Sequence, residues 1–261
     1  MKTIPVNYVI MTSSKGHFNQ TTYEETVNDL NTQIPLGIFT NRFAHIKISD
    51  DTKFREQEME DFFNKKNFSI RKSYSNWSHF SETHMTGYIA DLCKMFADEE
   101  VLKTPYTLIS EDDFVVRTES KDLLSFIYEA VKVLDENPKI VQVRIPRFSN
   151  ERARIDGVYA KHGIPTKTGD FTANTFKTDD WSNNIYIART RDLMAAMILL
   201  KRNAAIFGQH AEHSVSGVMK YLTETDLPFA VFQPQKIRCF HIGTPPDQRD
   251  VINMDIPLVS S

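Results

Sequence analysis

Three consecutive carboxylates, Glu111-Asp112-Asp113, follow directly on the apolar run Tyr106-Thr107-Leu108-Ile109. Acids this close repel one another, and at the end of an apolar strand burial adds a desolvation cost to each charge. A hard divalent ion such as Mn²⁺ or Mg²⁺ relieves both, because it takes oxygen ligands and can grip a diphosphate at the same time. An isolated EDD triplet is an ordinary solvated acidic turn; its place at the carboxyl end of a strand makes it a candidate site. Two later segments carry residue types suited to join it. Phe207-Gly208-Gln209-His210-Ala211-Glu212-His213-Ser214 leads into an amphipathic helix, and Lys236-Ile237-Arg238-Cys239-Phe240-His241-Ile242-Gly243 carries a histidine in a β-rich run. A carboxylate at a helix start stays ionised and can serve as a general base, or it can simply complement the helix dipole.

The elements that must position these residues are legible from hydrophobic periodicity. Val6 to Met11 reads as a buried strand ending in the polar loop Thr12-Ser13-Ser14-Lys15-Gly16, with a helix over about 22–30. Pro35 to Asn41 repeats the pattern of a strand running into a polar turn, and Asp51 to Phe63 reads as a charged helix. From Ser81, the residues Met85, Tyr88, Ile89, Leu92, Cys93 and Phe96 share one helical face. Leu123, Phe126, Ile127, Ala130, Val131 and Leu134 mark another helix, which stops at Asn137-Pro138 before the strand Ile140 to Ile145. Residues 147–181 lack a period and read as long loops or a short antiparallel excursion. A strand over 184–188, helices from Thr190 and from near Ala211, a strand region over 229–240 and a Pro-rich tail complete the chain. Strands alternating with helices imply a mostly parallel sheet covered on both faces, with ligands at the carboxyl ends of its strands.

In chain order, Leu108-Ile109-Ser110-Glu111-Asp112-Asp113-Phe114, the Glu212 segment and the His241 segment resemble the GT-A glycosyltransferases. That resemblance implies an α/β fold: a GT-A-like (Rossmann-like) mostly parallel sheet flanked by helices, with a loop-rich acceptor region. It implies one domain over 1–261, with a nucleotide-sugar half over 1–146 and an acceptor-binding, catalytic half over 147–261. The implied activity is metal-dependent transfer of a sugar from a nucleotide diphosphate sugar, first of all a UDP-sugar, to an acceptor hydroxyl. Asp113 and His241 are then metal ligands together with Glu111, while Glu111 or Asp112 contacts ribose or reaches the metal through water. Glu111 stands where the family has Asp, which leaves open how the first two acids divide these tasks. Glu212 matches the catalytic base; His213 follows where the family often has a second acid, so it is a rival base. Thr12 and Ser13 would contact base and ribose, with Asn41 and Arg42 helping at ribose or phosphate.

Composition bounds the alternatives. The 261 residues carry 31 Lys plus Arg against 34 Asp plus Glu, a net charge of -3, so no global positive field draws the chain to nucleic acid or lipid. Local basic stretches with aromatics do occur: Lys65, Lys66, Arg71 and Lys72 around Phe68, Tyr74 and Trp77, and Arg147, Arg152 and Arg154 around Phe148 and Tyr159. They suit a DNA acceptor, or they are solvated surface over buried rings. The Asn- and Lys-rich style is similar to that of large-phage proteins, some of which glycosylate hydroxymethylated bases in their DNA, so such a base and a glycan are both candidate acceptors. Trp77 and Trp181 are either stacking platforms or packing residues. Two cysteines, Cys93 and Cys239, and no run of about 18 apolar residues suggest a soluble cytoplasmic protein, in the host cytoplasm if viral. Neither GxGxxG nor GxxxxGK[ST] is present. The competing readings are a metal-dependent nuclease or phosphohydrolase and a non-enzymatic nucleic-acid-binding module.

Overall fold

The computed structural model describes residues 5–14, 39–75, 91–112, 114–117, 120–147, 152–153, 155, 167–181, 185–202, 211–233 and 237–241. The strands are β1 (Val6–Ser13), β2 (Phe39–Ser49), β3 (Ser69–Ser75), β4 (Tyr106–Glu111), β5 (Phe114–Arg117), β6 (Gln142–Arg144), β7 (Thr168–Thr172), β8 (Thr175–Thr178), β9 (Tyr186–Arg189), β10 (Phe229–Phe232) and β11 (Arg238–His241). The helices are α1 (Glu56–Lys65), α2 (Glu99–Leu102), α3 (Ser120–Glu136), α4 (Thr190–Arg202) and α5 (Ala211–Thr223); a 3-10 turn, Asp50–Arg55, precedes α1. A further helical segment is seen over 91–96.

Nine strands form one sheet in the order β3-β2-β1-β4-β9-β6-β10-β8-β7, and β11 and β5 form a separate two-stranded ribbon. Parallel pairing joins β3, β2, β1 and β4, and again β6 with β10. β9 runs antiparallel between β4 and β6. The β7–β8 hairpin adds an antiparallel edge to β10, which is the antiparallel excursion the loosened stretch allowed. This is the expected mixed α/β sheet of mostly co-directional strands with helices on both faces.

Strand alternation sorts the core into two layers. Val6, Tyr8 and Ile10 of β1 point to one face, where Met59 and Phe63 of α1 and Phe126, Ile127 and Ala130 of α3 cover them. Val9 and Met11 point to the other, under Leu92, Met95 and Phe96, α4 and α5. Burial on both sides explains why β1 reads as an unbroken apolar run.

The structure departs from the sequence reading in several places. β2 runs from Phe39 to Ser49, so Asn41 and Arg42 open the strand instead of following it. The alternation of Ala44, Ile46 and Ile48 with Phe43, His45 and Lys47 is a strand pattern that the polar Asn41-Arg42 pair masked. The basic stretch after α1 contains a strand, β3, paired to β2. Trp181 is packed in the core at 1% exposure and is no stacking platform. The expected helix over 22–30, most of the helix from Ser81, and Trp77 lie outside the described residues.

Candidate active site at the carboxyl edge of the sheet

β1 and β4 run parallel and in register, with Met11 opposite Glu111, so the polar end of β1 and the acidic turn leave the sheet side by side. Two hydrogen bonds join them. The Asp112 backbone N–H donates to the Met11 carbonyl at 3.2 Å, and Thr12 Oγ1 donates to Asp112 Oδ2 at 2.8 Å. Thr12 is buried, while Ser13, Glu111 and Asp112 are half-buried, so the carboxylates are partly desolvated yet reachable. The next residue, Ser14, is anchored by its N–H to the Lys47 carbonyl at 2.8 Å, and its hydroxyl pairs with that of Thr52 at 2.7 Å.

His241 enters through the ribbon. β11 pairs antiparallel with β5, placing His241 opposite Phe114, one residue beyond the acidic turn. Directly opposed Cα atoms in such a pair are about 4.5–5.5 Å apart, so the His241 backbone is adjacent to the turn. Cys239 ties the ribbon to the end of β6 through its N–H to the Pro146 carbonyl at 3.0 Å. Asp113 and the His241 side chain lie outside the described residues; among the described residues no group of three or more His, Cys, Asp or Glu converges. Of this donor set, the carboxylate oxygens are the ligands that suit Mn²⁺ or Mg²⁺. Glu212 and His213 stand in the first turn of α5, where a helix start was expected; their side chains lie outside the described residues.

Asn41 and Arg42 sit at the other end of the sheet. Asn41 is opposite Asn7, its amide donating to Asn7 Oδ1 at 3.2 Å, and Asn7 in turn donates to the Val101 carbonyl at 2.8 Å. Five residues of strand separate Asn7 from Thr12, on the order of 16 Å at the usual rise. Asn41 and Arg42, expected near ribose or phosphate, therefore lie at the opposite end of the sheet from Thr12 and the acidic turn.

Two polar clusters near this edge were not anticipated. On the right-hand side Arg144, fully buried, donates to the Asp180 carbonyl at 2.6 Å and to Asp180 Oδ2 at 2.8 Å. Tyr186 lies opposite both Arg144 and Ile109, with the Trp181 ring 6.2 Å away. A cation inside the apolar run Ile140 to Ile145 was the available signal, since buried Arg requires a partner. On the left-hand side, Lys47 Nζ contacts Asp91 Oδ2 at 3.1 Å, and His45 Nε2 contacts Asp91 Oδ1 at 3.4 Å and Ser73 Oγ at 3.2 Å, all buried. Burial alone would raise the Asp91 carboxyl, but hydrogen bonds from His45 and Ser73 and the Lys47 charge outweigh it and hold the group below its ordinary value.

Three residues of the basic stretches are paired with carboxylates within the chain. Arg71 pairs with Asp98 and lies over the Phe43 ring, and Lys72 bridges Glu56 and Glu60 at 2.9 and 2.6 Å. Arg152 pairs with Asp170 at 2.5 Å. Lys65 is exposed, Lys66 and Arg147 are half-buried, and Arg154 lies outside the described residues.

No protein-family model matches the chain, and no curated protein does. Among solved structures it is similar to S. aureus TarS 1-349, with 16% identity and a TM-score of 0.45 over 88% of this chain and 59% of that one. The complex of TarS 1-349 with UDP-GlcNAc gives 16% and 0.44 over 88% and 57%. The UDP complex gives 15% and 0.43 over 88% and 59%. The chain thus spans less than two thirds of those structures' length. Among the described residues no helix is long and apolar enough to cross a membrane.

Proposed function

We propose that the chain transfers a sugar from a nucleotide diphosphate sugar to an acceptor hydroxyl. The observation that carries this reading is the Thr12 to Asp112 hydrogen bond, which ties a nucleotide-loop candidate to an acidic turn at the carboxyl edge of parallel strands. The backbone of His241 beside that turn supports it independently, because strand β11 comes from the far end of the chain.

In this reading Glu111 or Asp112, with Asp113 and His241, would hold Mn²⁺ or Mg²⁺. When bound, such an ion draws charge from the departing diphosphate as a Lewis acid. Thr12 and Ser13 orient the nucleoside through hydroxyls and backbone amides. Glu212, at the positive end of α5, takes the proton from the acceptor hydroxyl, with His213 as the competing base. The hydroxyl acceptor is a glycan in preference to DNA, because Arg71, Lys72 and Arg152 already have carboxylate partners.

A thermal-shift panel tests the reading. UDP and UDP-sugars with Mn²⁺ should raise the melting temperature, because a ligand specific to the native state adds about 2.7 kcal/mol at 100 times its Kd. No shift with any nucleotide, together with metal-dependent cleavage of DNA or phosphate esters, would overturn it in favour of a hydrolase.

A further inference from the structure

Two tyrosines of the sheet are wholly buried, and their hydroxyls differ. Tyr8 shares a hydrogen bond with Ser110 Oγ at 3.1 Å. Tyr186, at 0% exposure, finds no hydrogen-bond partner for its hydroxyl. A buried hydroxyl in that condition has given up water and received nothing, and phenylalanine would fill the same space without the penalty. The group therefore calls for a function outside packing.

The register shows which residues are its neighbours. Tyr186 faces Ile109 across the β4–β9 pair, and Ile109 and Glu111 share a face because side chains alternate along a strand. Glu111 is thus the diagonal neighbour of Tyr186, at a Cα separation of about 7–8 Å, a gap that long side chains span. Burial and then the negative charge of Glu111 push the Tyr186 hydroxyl above its ordinary value, in keeping with a carboxylate close at hand. On the opposite flank Arg144 directs its guanidinium to Asp180, and the Trp181 ring packs edgewise on Tyr186 at 64°.

We propose that Tyr186 is a positioning residue for Glu111: its hydroxyl donates to one carboxylate oxygen and turns the other toward the cation and diphosphate at the sheet edge. This rests on the nucleotide-sugar reading above. Glu111 is half-buried at the sheet edge; loading the edge draws its carboxylate inward and gives the tyrosine its missing acceptor.

The test is calorimetric titration of the full chain with UDP in the presence and absence of Mn²⁺, for the wild type, Tyr186→Phe, Glu111→Gln and the double variant, with melting temperatures of each ligand-free protein. Tyr186→Phe should weaken UDP–Mn²⁺ binding about tenfold, as for loss of a hydrogen bond to a charged group. It should cause a smaller loss in the Glu111→Gln background, where the acceptor is uncharged, and should raise the ligand-free melting temperature by a few degrees, on the order of 2–4 °C. Tyr8→Phe, which removes a satisfied hydroxyl, should lower the melting temperature and leave UDP binding alone. Wild-type binding with an unchanged Tyr186→Phe variant, or an equal loss in the Glu111→Gln background, overturns the positioning role alone. Absence of nucleotide binding by the wild type overturns the functional reading and this inference with it.

Discussion

Thr12 Oγ1 and Asp112 Oδ2, a hundred residues apart in sequence, stand 2.8 Å apart at the end of two parallel strands. The threonine can donate only because β1 and β4 finish in the same register, and the bond orients an acid that would otherwise be repelled by its neighbours.

Replacing Thr12 by Val removes that donor while keeping the branched shape. UDP–Mn²⁺ affinity should fall about tenfold, and Thr12→Ser should restore most of it. Titration calorimetry reads this; unaltered affinity in Thr12→Val would show that Asp112 needs no orientation from β1.

Asp113→Ala should abolish Mn²⁺-dependent nucleotide binding while circular dichroism and the melting profile stay native. EDTA should reproduce the loss in the wild type. Binding that persists through both treatments would remove the cation from the site.

Asn41→Ala and Arg42→Ala should leave nucleotide affinity within about twofold of wild type, because both residues sit at the amino end of β2. A large loss of affinity in either variant would contradict the placement of the ligand at the carboxyl edge.

Asp91→Ala removes the buried carboxylate that Lys47 and His45 both contact and should cost about 3–5 kcal/mol. The folded carboxyl titrates below the ordinary value of 3.8, so its stabilising contribution is complete above about pH 4 and is lost as pH falls through the folded value. Urea midpoints across pH 2–6 should therefore drop more steeply at the acid end for the wild type than for Asp91→Asn. Parallel pH curves would mean the network contributes nothing to acid stability.

Much of this could be seen in one dimension. Tyr106 to Ile109 running into three acids announced a buried strand ending in a polar turn, and the structure places that turn at the carboxyl edge of β4. The periodic residues from Leu123 to Leu134 fall within one helix, α3. Other features were hidden for a physical cause. β5 is four residues long, too short for a period to emerge, and forms only because β11 satisfies its backbone. The polar start of β2 looked like a turn because the partner of Asn41, Asn7, lies far off along the chain.

Taken alone, the amino-acid order determined the alternation of elements and the chemical types at their ends, since both follow from local periodicity and from the cost of leaving charge at an apolar boundary. The folded arrangement decided which ends meet: that His241 comes beside the acidic turn, that Asn41 and Arg42 lie at the opposite edge, and that Tyr186 is buried diagonal to Glu111. Pairing partner and register are long-range choices, settled by the burial of whole faces, and a one-residue slip would move a strand's side chains to the opposite face.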